Sequence, residues 1–241
     1  LNTIVAAQLR SFATQVEELV RKGTKRDEAI LRVLRDLIVS SKNIRFEGNG
    51  YGDEWVKEAE KRGLSNIKDT PRALDVWSRK EVIQMFNELG VLSPVETEAR
   101  HEIELHSYTL KLQIESRVVG DLAQNHIVPV AISYQNRLIE NVRGLREVLG
   151  ADKAKKATAT QIGLIEEMSE HISTVMALVN EMIEARKKAN NLENARDKAI
   201  AYCDKVKPFL EKIRYHADKL ELLVDDEQWP LPKMRELLFT R

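Results

Sequence analysis

The stretch "TATQIGLIEEMSEHISTVMALVNEMIEARKK", residues 158–188, decides the fold class, because its apolar residues recur at alternating intervals of three and four. A mean interval of about 3.5 residues places them on one side of an α-helix, where they form a seam that packs against a neighbouring helix. The spacing therefore predicts a long helix with one buried face, whose seam consists of Ile165, Met168, Ile172, Val175, Val179 and Met182.

A second long helix is predicted downstream, over residues 192–224. It repeats the same alternation of three and four, which again indicates a buried seam. The apolar and aromatic residues and the one histidine on this seam are Leu192, Ala195, Ala199, Tyr202, Val206, Phe209, Ile213, His216, Leu220 and Leu223.

A further long helix is predicted upstream, beginning at Ser93. Ser93 and Glu96 have the spacing of a capping box, and Pro94 occupies the first turn. Pro129 is the only strong break before residue 149. We expect it to kink this helix or to split it in two, because proline lacks a backbone donor. The stretch "LGADKAKKAT", residues 149–158, is expected to form a turn and a charged connector.

These patterns predict an all-α fold, an elongated antiparallel bundle of long helices, because short connectors make sequential helices antiparallel. The bundle is expected over residues 93–241 and has three long helices, or four if Pro129 splits the first. It ends in a short helix, "KMRELLF" at residues 233–239, whose apolar side is expected to dock back. Residues 1–22 are expected to form the last helix of a truncated domain, and residues 23–92 a connecting segment of short helices with a glycine-rich turn.

The N-terminal residues predict a helix over 3–21 that ends at Gly23, and a second one that begins at Thr24 and runs to Ile38. Because Leu1 lies at the start of a helical pattern, we expect the chain to be a piece of a longer protein. The brief alternation in "NIRFEG", residues 43–48, indicates a short strand.

Further short helices are predicted between residues 53 and 90. Asp53 is expected to cap "EWVKEAEKR", a helix that Gly63 ends. Thr70 and Pro71 open the next segment, since proline is favoured in a first helical turn. It contains two short helices, 72–77 and 78–89, that stop at Gly90.

Composition excludes several classes of function. Lys and Arg together number 38, as do Asp and Glu, so no net charge attracts nucleic acid or an anionic membrane. The longest apolar run, "IVPVAI", is far shorter than the ~20 residues that span a bilayer. The single cysteine, Cys203, excludes an internal disulfide and is typical of a protein of the reducing cytoplasm. We therefore expect no nucleic-acid or membrane partner, and a cytoplasmic location.

The glycine-rich stretch "RFEGNGYGDEW", residues 45–55, raises the question of a phosphate-binding loop. Gly48, Gly50 and Gly52 are spaced evenly by two, which matches neither a dinucleotide fingerprint nor a Walker loop. Asp53 and Glu54 would also place negative charge where a phosphate would meet the next helix. A turn between helices is therefore favoured over a nucleotide site.

The histidines and the cysteine predict no catalytic, cofactor-binding or metal-ligating residue. His101 and His106 in "HEIELH" are five residues apart, whereas two histidines that bind zinc from one helix face are four apart. Glu98 and His101 form a single Glu-x-x-His pair, and a di-iron bundle needs two such pairs. His216 falls on a seam and is expected to be a packed or water-facing core histidine, and Cys203 lacks the residues that would make it a nucleophile. An all-helical metalloenzyme therefore lacks ligands.

Five stretches resemble the C-terminal region of the type III glutamine synthetases. The resemblance covers essentially the whole chain, and residues 47–70 are the most specific part of these stretches. The stretches are "LNTIVA" (1–6), "RFEGNGYGDEWVKEAEKRGLSNIKDTPRALD" (45–75), "VLSPVETEARHEIELHSY" (91–108), "HIVPVAISY" (126–134) and "WPLPKMRELLF" (229–239).

This resemblance implies a role in the ATP-dependent condensation of glutamate with ammonia, through a γ-glutamyl phosphate at a site that holds Mg²⁺ or Mn²⁺. It also implies ring-shaped homo-oligomers stacked in pairs. The catalytic residues of the family precede the segment similar to "LNTIVA", so none is transferred to this chain. The chain would then be a structural and oligomerisation region, inactive alone, whose partner is the upstream catalytic domain.

One alternative of a different class stays open from the sequence. Helical periodicity alone also fits a free-standing bundle that binds partner proteins through a groove between its helices. The gene upstream of Leu1 distinguishes the two hypotheses, because only the synthetase hypothesis requires a long preceding reading frame.

Overall fold

The computed structural model describes residues 1–233 and 236–239, and the chain divides into two compact units, Leu1–Glu104 and Leu105–Arg241. All regular secondary structure in the described residues is helical, which confirms the predicted all-α fold. None of the helices in this part of the chain is long and apolar enough to cross a membrane.

The helices agree with the predicted ones in number and order over residues 1–92, and over residues 93–149 Pro129 splits the first long helix in two. Those that lie wholly in the first unit are α1 (Asn2–Arg21), α2 (Arg26–Ser40), α3 (Asp53–Lys61), α4 (Thr70–Leu74) and α5 (Lys80–Glu88). The division between the units falls within α6 (Pro94–Leu122), and the helices that follow it are α7 (Val128–Leu149), α8 (Ala151–Ala157), α9 (Ala159–Asn190), α10 (Ala195–Ala201) and α11 (Lys207–Leu223).

Glycine ends three helices of the first unit, as predicted. Gly23, Gly63 and Gly90 have φ angles of 93°, 77° and 64°. This left-handed conformation is strained for residues with a Cβ and turns the chain out of the helix. The predicted start of α2 at Thr24 is wrong by two residues, because Lys25 is still extended and the helix begins at Arg26.

The predicted strand over residues 43–48 is wrong. Ser41–Ile44 form a 3₁₀ turn, and the next residues are irregular. A strand needs a partner that pairs with its backbone, and the described residues contain none. The predicted cap at Asp53 is also wrong: Gly52 holds the cap position, and Asp53 is the first residue of α3. Its carboxylate still lies at the positive end of the helix dipole.

Two helix starts follow the predicted chemistry. Pro71 lies in the first turn of α4, where Asp69 caps the helix by accepting a bond from the Arg72 N–H at 3.0 Å. The capping box at α6 is confirmed, because the Ser93 N–H donates to Glu96 Oε2 at 2.7 Å and the Glu96 N–H to Ser93 Oγ at 3.3 Å. The bond from the Ser93 backbone lowers the pKa of Glu96.

Pro129 interrupts the predicted first long helix with a π-helical turn. Ala123–Ile127 form this turn, and Pro129 follows in the first turn of α7. A proline ring clashes with the carbonyl four residues earlier, and widening the helix before it relieves that clash. The same arrangement recurs before Pro208, where Tyr202–Val206 form a π turn between α10 and α11. No interruption at Pro208 was predicted from the sequence.

The helices of the second unit pack antiparallel around α9. Along the α6–α9 contact, Gln113 bonds Asn190, whereas Gly120 lies against Met182 and Val179. Along this contact the residue numbers increase on α6 while they decrease on α9, so the two helices are antiparallel. The same order holds for α7 against α9 (Gln135 with Ser169, Asn141 with Gln161) and for the α10–α11 segment against α9 (Tyr202 with Asn190, His216 with His171).

The predicted seams form the core of this unit. On α9 the residues Met168, Val175, Val179 and Met182 are fully buried. They meet fully or almost fully buried seam residues of the α10–α11 segment, namely Ala199, Tyr202, Val206, Ile213 and Leu220. The first predicted seam position is wrong, since Leu192 is 39% exposed and precedes Asn194, whose side chain caps α10.

The predicted connector over 149–158 is wrong in part, because most of it forms α8 after a turn at Gly150, φ 76°. Ala154 is fully buried and its carbonyl accepts a bond from Thr158 Oγ1 at 2.8 Å. The burial of this alanine gives a charged stretch one apolar face, and a helix results.

Lys233 attaches the terminal chain to the end of α11. Its side chain is 8% exposed and donates hydrogen bonds to the carbonyls of Glu221 and Val224.

The predicted terminal helix over 233–239 is only partly observed, because Met234 and Arg235 lie outside the described residues. Glu236–Phe239 form a 3₁₀ turn. Leu238 and Phe239 are 78% and 81% exposed, so the expected docking of this apolar side is wrong for these residues.

Candidate functional site

The glycine-rich stretch folds around a stack of side chains. The rings of Phe46 and Trp55 lie 4.2 Å apart, and the guanidinium of Arg62 covers Trp55 at 5.5 Å. Arg62 also donates to the Arg45 carbonyl at 2.8 Å and to Glu58 at 2.8 Å, and its bond to Glu58 lowers the pKa of that carboxyl. The stack joins the loop to α3.

Asn49 accepts hydrogen bonds from two backbone N–H groups of this loop. Its side-chain oxygen accepts from the Tyr51 N–H at 3.1 Å, and its carbonyl accepts from the Gly52 N–H at 3.2 Å. A phosphate-binding loop presents such N–H groups to the ligand instead. The contacts of this stretch are therefore those of a turn held by its own side chains.

The structure does not assemble a metal site from the histidines weighed in the sequence. His101 is half-buried and His106 is exposed, on different sides of α6. Among the residues with described positions, no group of three or more His, Cys, Asp or Glu side chains could hold a metal ion. The donor set therefore does not fit the divalent metal that the resemblance implies for the whole enzyme. Cys203 lies half-buried in the π turn before Pro208.

A histidine pair lies between α9 and α11. Nδ1 of His171 and Nδ1 of His216 are 2.9 Å apart, so one ring donates its N–H and the other accepts it. Glu167 lies 3.8 Å from the other nitrogen of His171, and the ring of Tyr215 meets His216 edge-on. Burial, and then the charge of His171, lower the pKa of His216, against a smaller effect of Glu170.

His216 was predicted on the seam, but no contact or role was predicted for His171. His171 precedes the seam residue Ile172, so it falls beside the apolar line and was not counted with it. Its partner is determined by the alignment of two antiparallel helices, which periodicity within either helix does not reveal. The available signal was one histidine on the second seam, His216, and another beside the first, His171.

Several apolar side chains of the first unit are exposed, on α1 and also on α2, where Leu31 and Val39 are 66% and 65% exposed. No residue of α1 is buried, although it packs against α2 and α5. Leu9 is 63% exposed, Ile4 60% and Val5 51%. In the second unit, an open apolar groove of about 810 Å³ lies between α9 and the α10–α11 segment, lined by Ala185, Ala189, Leu192, Ala201 and Phe209.

Residues 29–146 match the model of the glutamine synthetase C-terminal domain, a range that includes the glycine-rich stretch and α6. The chain belongs to this family. Its relatives include a glutamine synthetase of Bacteroides fragilis, 49% identical over the whole chain, and a type-3 glutamine synthetase of Dictyostelium discoideum, 30% identical over the whole chain. A glutamine synthetase of Butyrivibrio fibrisolvens is 28% identical over 90% of it.

The chain spans about a third of the length of these relatives, 33% in the first two and 31% in the third. The predicted family is therefore confirmed, together with the expectation that the matching part is the C-terminal region of the synthetases.

Proposed function

We propose that this chain is the C-terminal helical region of a type III glutamine synthetase, where it supports the catalytic part and its assembly. The observation that carries the proposal is an alignment over the whole chain that covers only a third of each of two relatives. The reaction of such a synthetase needs Mg²⁺ or Mn²⁺ and ATP. Those ligands would bind to the preceding two thirds.

The exposed side of α1 supports a partner on the N-terminal side. Leu9 and Ile4 are each at least 60% exposed, and contiguous apolar surface of this kind is typical of an interface. We assign residues 1–22 to the last helix of the catalytic domain, 23–92 to a connecting segment and 93–241 to the bundle. The partners proposed are that domain and further subunits of a homo-oligomer, in the cytoplasm.

The test is to clone the reading frame that includes this chain and to compare the full-length protein with residues 1–241 alone. We expect the full-length protein to release ADP from Mg-ATP in a reaction that requires both glutamate and ammonia. Residues 1–241 should show no activity above a heat-inactivated control. Turnover by residues 1–241 alone would contradict the proposal. So would a full-length protein that shows no turnover.

The free-standing interaction module receives no support from the relatives, since each that matches is about three times as long as this chain. A start codon within a few codons of Leu1 would favour it instead. Sequencing the gene upstream of Leu1 therefore comes before the activity assay.

A further inference from the structure

The histidine pair between α9 and α11 brings two metal-binding nitrogens to contact distance. Nδ1 of His171 and Nδ1 of His216 are 2.9 Å apart, and the two rings come from different helices of the second unit. Imidazole nitrogens are preferred ligands of Zn²⁺, Cu²⁺ and Ni²⁺, whereas Mg²⁺ and Mn²⁺ prefer oxygen ligands. Both rings can therefore reach one ion of the first group.

The separation of the two nitrogens indicates which coordination geometry fits. A bond between a metal ion and an imidazole nitrogen is about 2.0–2.1 Å long, so nitrogens 2.9 Å apart would subtend an angle of about 90° at a shared ion. A tetrahedral ion with bonds of this length would need the nitrogens about 3.3–3.4 Å apart. The smaller angle is that of neighbouring ligands in square-planar or tetragonal coordination, which is typical of Cu²⁺ and Ni²⁺.

The surroundings of the pair favour the form of each ring that binds a metal. Glu167 Oε1 lies 3.8 Å from Nε2 of His171, and a carboxylate there favours a proton on Nε2, which leaves the lone pair of Nδ1 free. Burial, and then the charge of His171, lower the pKa of His216, so its ring is neutral at pH 7. The Glu167 side chain is 51% exposed, so the pair lies close to solvent.

We infer that His171 and His216 together bind one divalent transition-metal ion, Ni²⁺ or Cu²⁺, through their two Nδ1 atoms. Two coordinate bonds replace the hydrogen bond between the rings, and the ring that donated its N–H carries its proton on Nε2 instead, with no net loss of protons. Water fills the other positions, since no group of three or more His, Cys, Asp or Glu in the described part of the chain could hold the ion. The inference is independent of the proposed function.

Isothermal titration calorimetry of residues 1–241 with NiCl₂ at neutral pH tests this site. A Cys203→Ser background removes the only thiol, which binds the same ions. We expect one Ni²⁺ per chain, and MgCl₂ should not compete. Because the ion links α9 to α11, the melting temperature should rise by about 5 °C at a free-ion concentration about a hundred times the dissociation constant.

His171→Gln and His216→Gln should each abolish this binding, since either substitution leaves the ion a single protein ligand. His106→Gln is the matched control, because His106 is exposed on α6, and it should bind Ni²⁺ as the parent chain does. Circular dichroism establishes that each variant is folded. A parent chain that binds no Ni²⁺ would overturn the inference. So would unchanged binding in the folded His171→Gln and His216→Gln variants.

Nuclear magnetic resonance of the histidine rings gives an answer that needs no substitution at the pair. Ni²⁺ is paramagnetic and should broaden the ring signals of His171 and His216 before those of His106. Broadening that begins at His106, or equally at every histidine, would overturn the inference. Neither result affects the proposed function, which depends on the ammonia- and glutamate-dependent activity of the full-length protein.

Discussion

Gly48 leaves space for an aromatic ring. A Cβ added at this position would lie 2.9 Å from the ring of Phe46, closer than side chains pack. We expect Gly48→Ala to displace Phe46 from Trp55 and to lower the free energy of unfolding by about 1–3 kcal/mol, the usual cost of overpacking. Urea unfolding followed by circular dichroism measures the change.

Gly50→Ala is the control, because nothing lies within 4 Å of a Cβ at that position. It should change the free energy of unfolding by much less. Equal effects of the two substitutions would mean that the Phe46–Trp55 stack contributes nothing to stability.

We expect the burial of His216 beside His171 to make the free energy of unfolding depend on pH. The pKa of His216 is lowered from 6.5 in the folded chain, so the unfolded chain binds the proton more tightly. The free energy of unfolding is therefore highest above pH 6.5. It decreases as the pH falls below that value and through the pKa of His216 in the folded chain. We expect His216→Gln to make the free energy of unfolding fall less steeply over this range, measured by urea titration at several pH values.

His106→Gln serves as the comparison, since His106 is exposed on α6. Its pH profile should follow that of the unsubstituted chain. If His216→Gln also kept the full slope, the pair would not be the origin of the pH dependence.

At the scale of the elements, Gly120 lies where α6 contacts α9. A Cβ there would be 3.5 Å from Val179 and from Met182, an ordinary contact distance. We expect Gly120→Ala to stabilise the chain by about 0.5–1 kcal/mol, because glycine is a poor helix residue. Gly120→Leu should destabilise it by about 1–3 kcal/mol, because the larger side chain has no space. Thermal or urea unfolding measures both.

Gly144 of α7 provides the matched pair, since no atom lies within 4 Å of a Cβ at this position. Alanine at 144 should stabilise as at 120, and leucine at 144 should be tolerated. A harmless leucine at 120 would contradict the close packing of α6 on α9.

The long helices were predictable because each is specified by its own residues. The seam on α9, the capping box at Ser93 and Glu96 and the glycine stops are local patterns, and the structure confirms them. Two of the wrong predictions depended on distant neighbours. Burial of Ala154 turned a charged connector into α8, and the described part of the chain offers no strand beside residues 43–48.

At the scale of the whole protein, a substitution on the exposed side of α1 should affect assembly with the catalytic domain without affecting the stability of residues 1–241. Leu9 is 63% exposed, so Leu9→Glu should leave the unfolding of residues 1–241 nearly unchanged. In the full-length protein we expect the same substitution to reduce the glutamate- and ammonia-dependent activity several-fold, because it places a charge in the proposed contact with the catalytic domain. Gln8→Glu adds the same charge beside it and should have a smaller effect.

An active full-length Leu9→Glu variant would mean that α1 does not contact the catalytic domain through this side. A variant of residues 1–241 that unfolds more readily would mean that Leu9 stabilises the first unit itself. Measuring both proteins distinguishes these two outcomes.

The sequence by itself determined the helical class, the seams of α9 and the α10–α11 segment, and the family, because periodicity, caps and diagnostic stretches are properties of neighbouring residues. Only the tertiary structure decided that His171 meets His216 and that Lys233 caps α11. These features depend on the alignment of separate helices. That alignment results from packing many side chains together, which no single helix encodes.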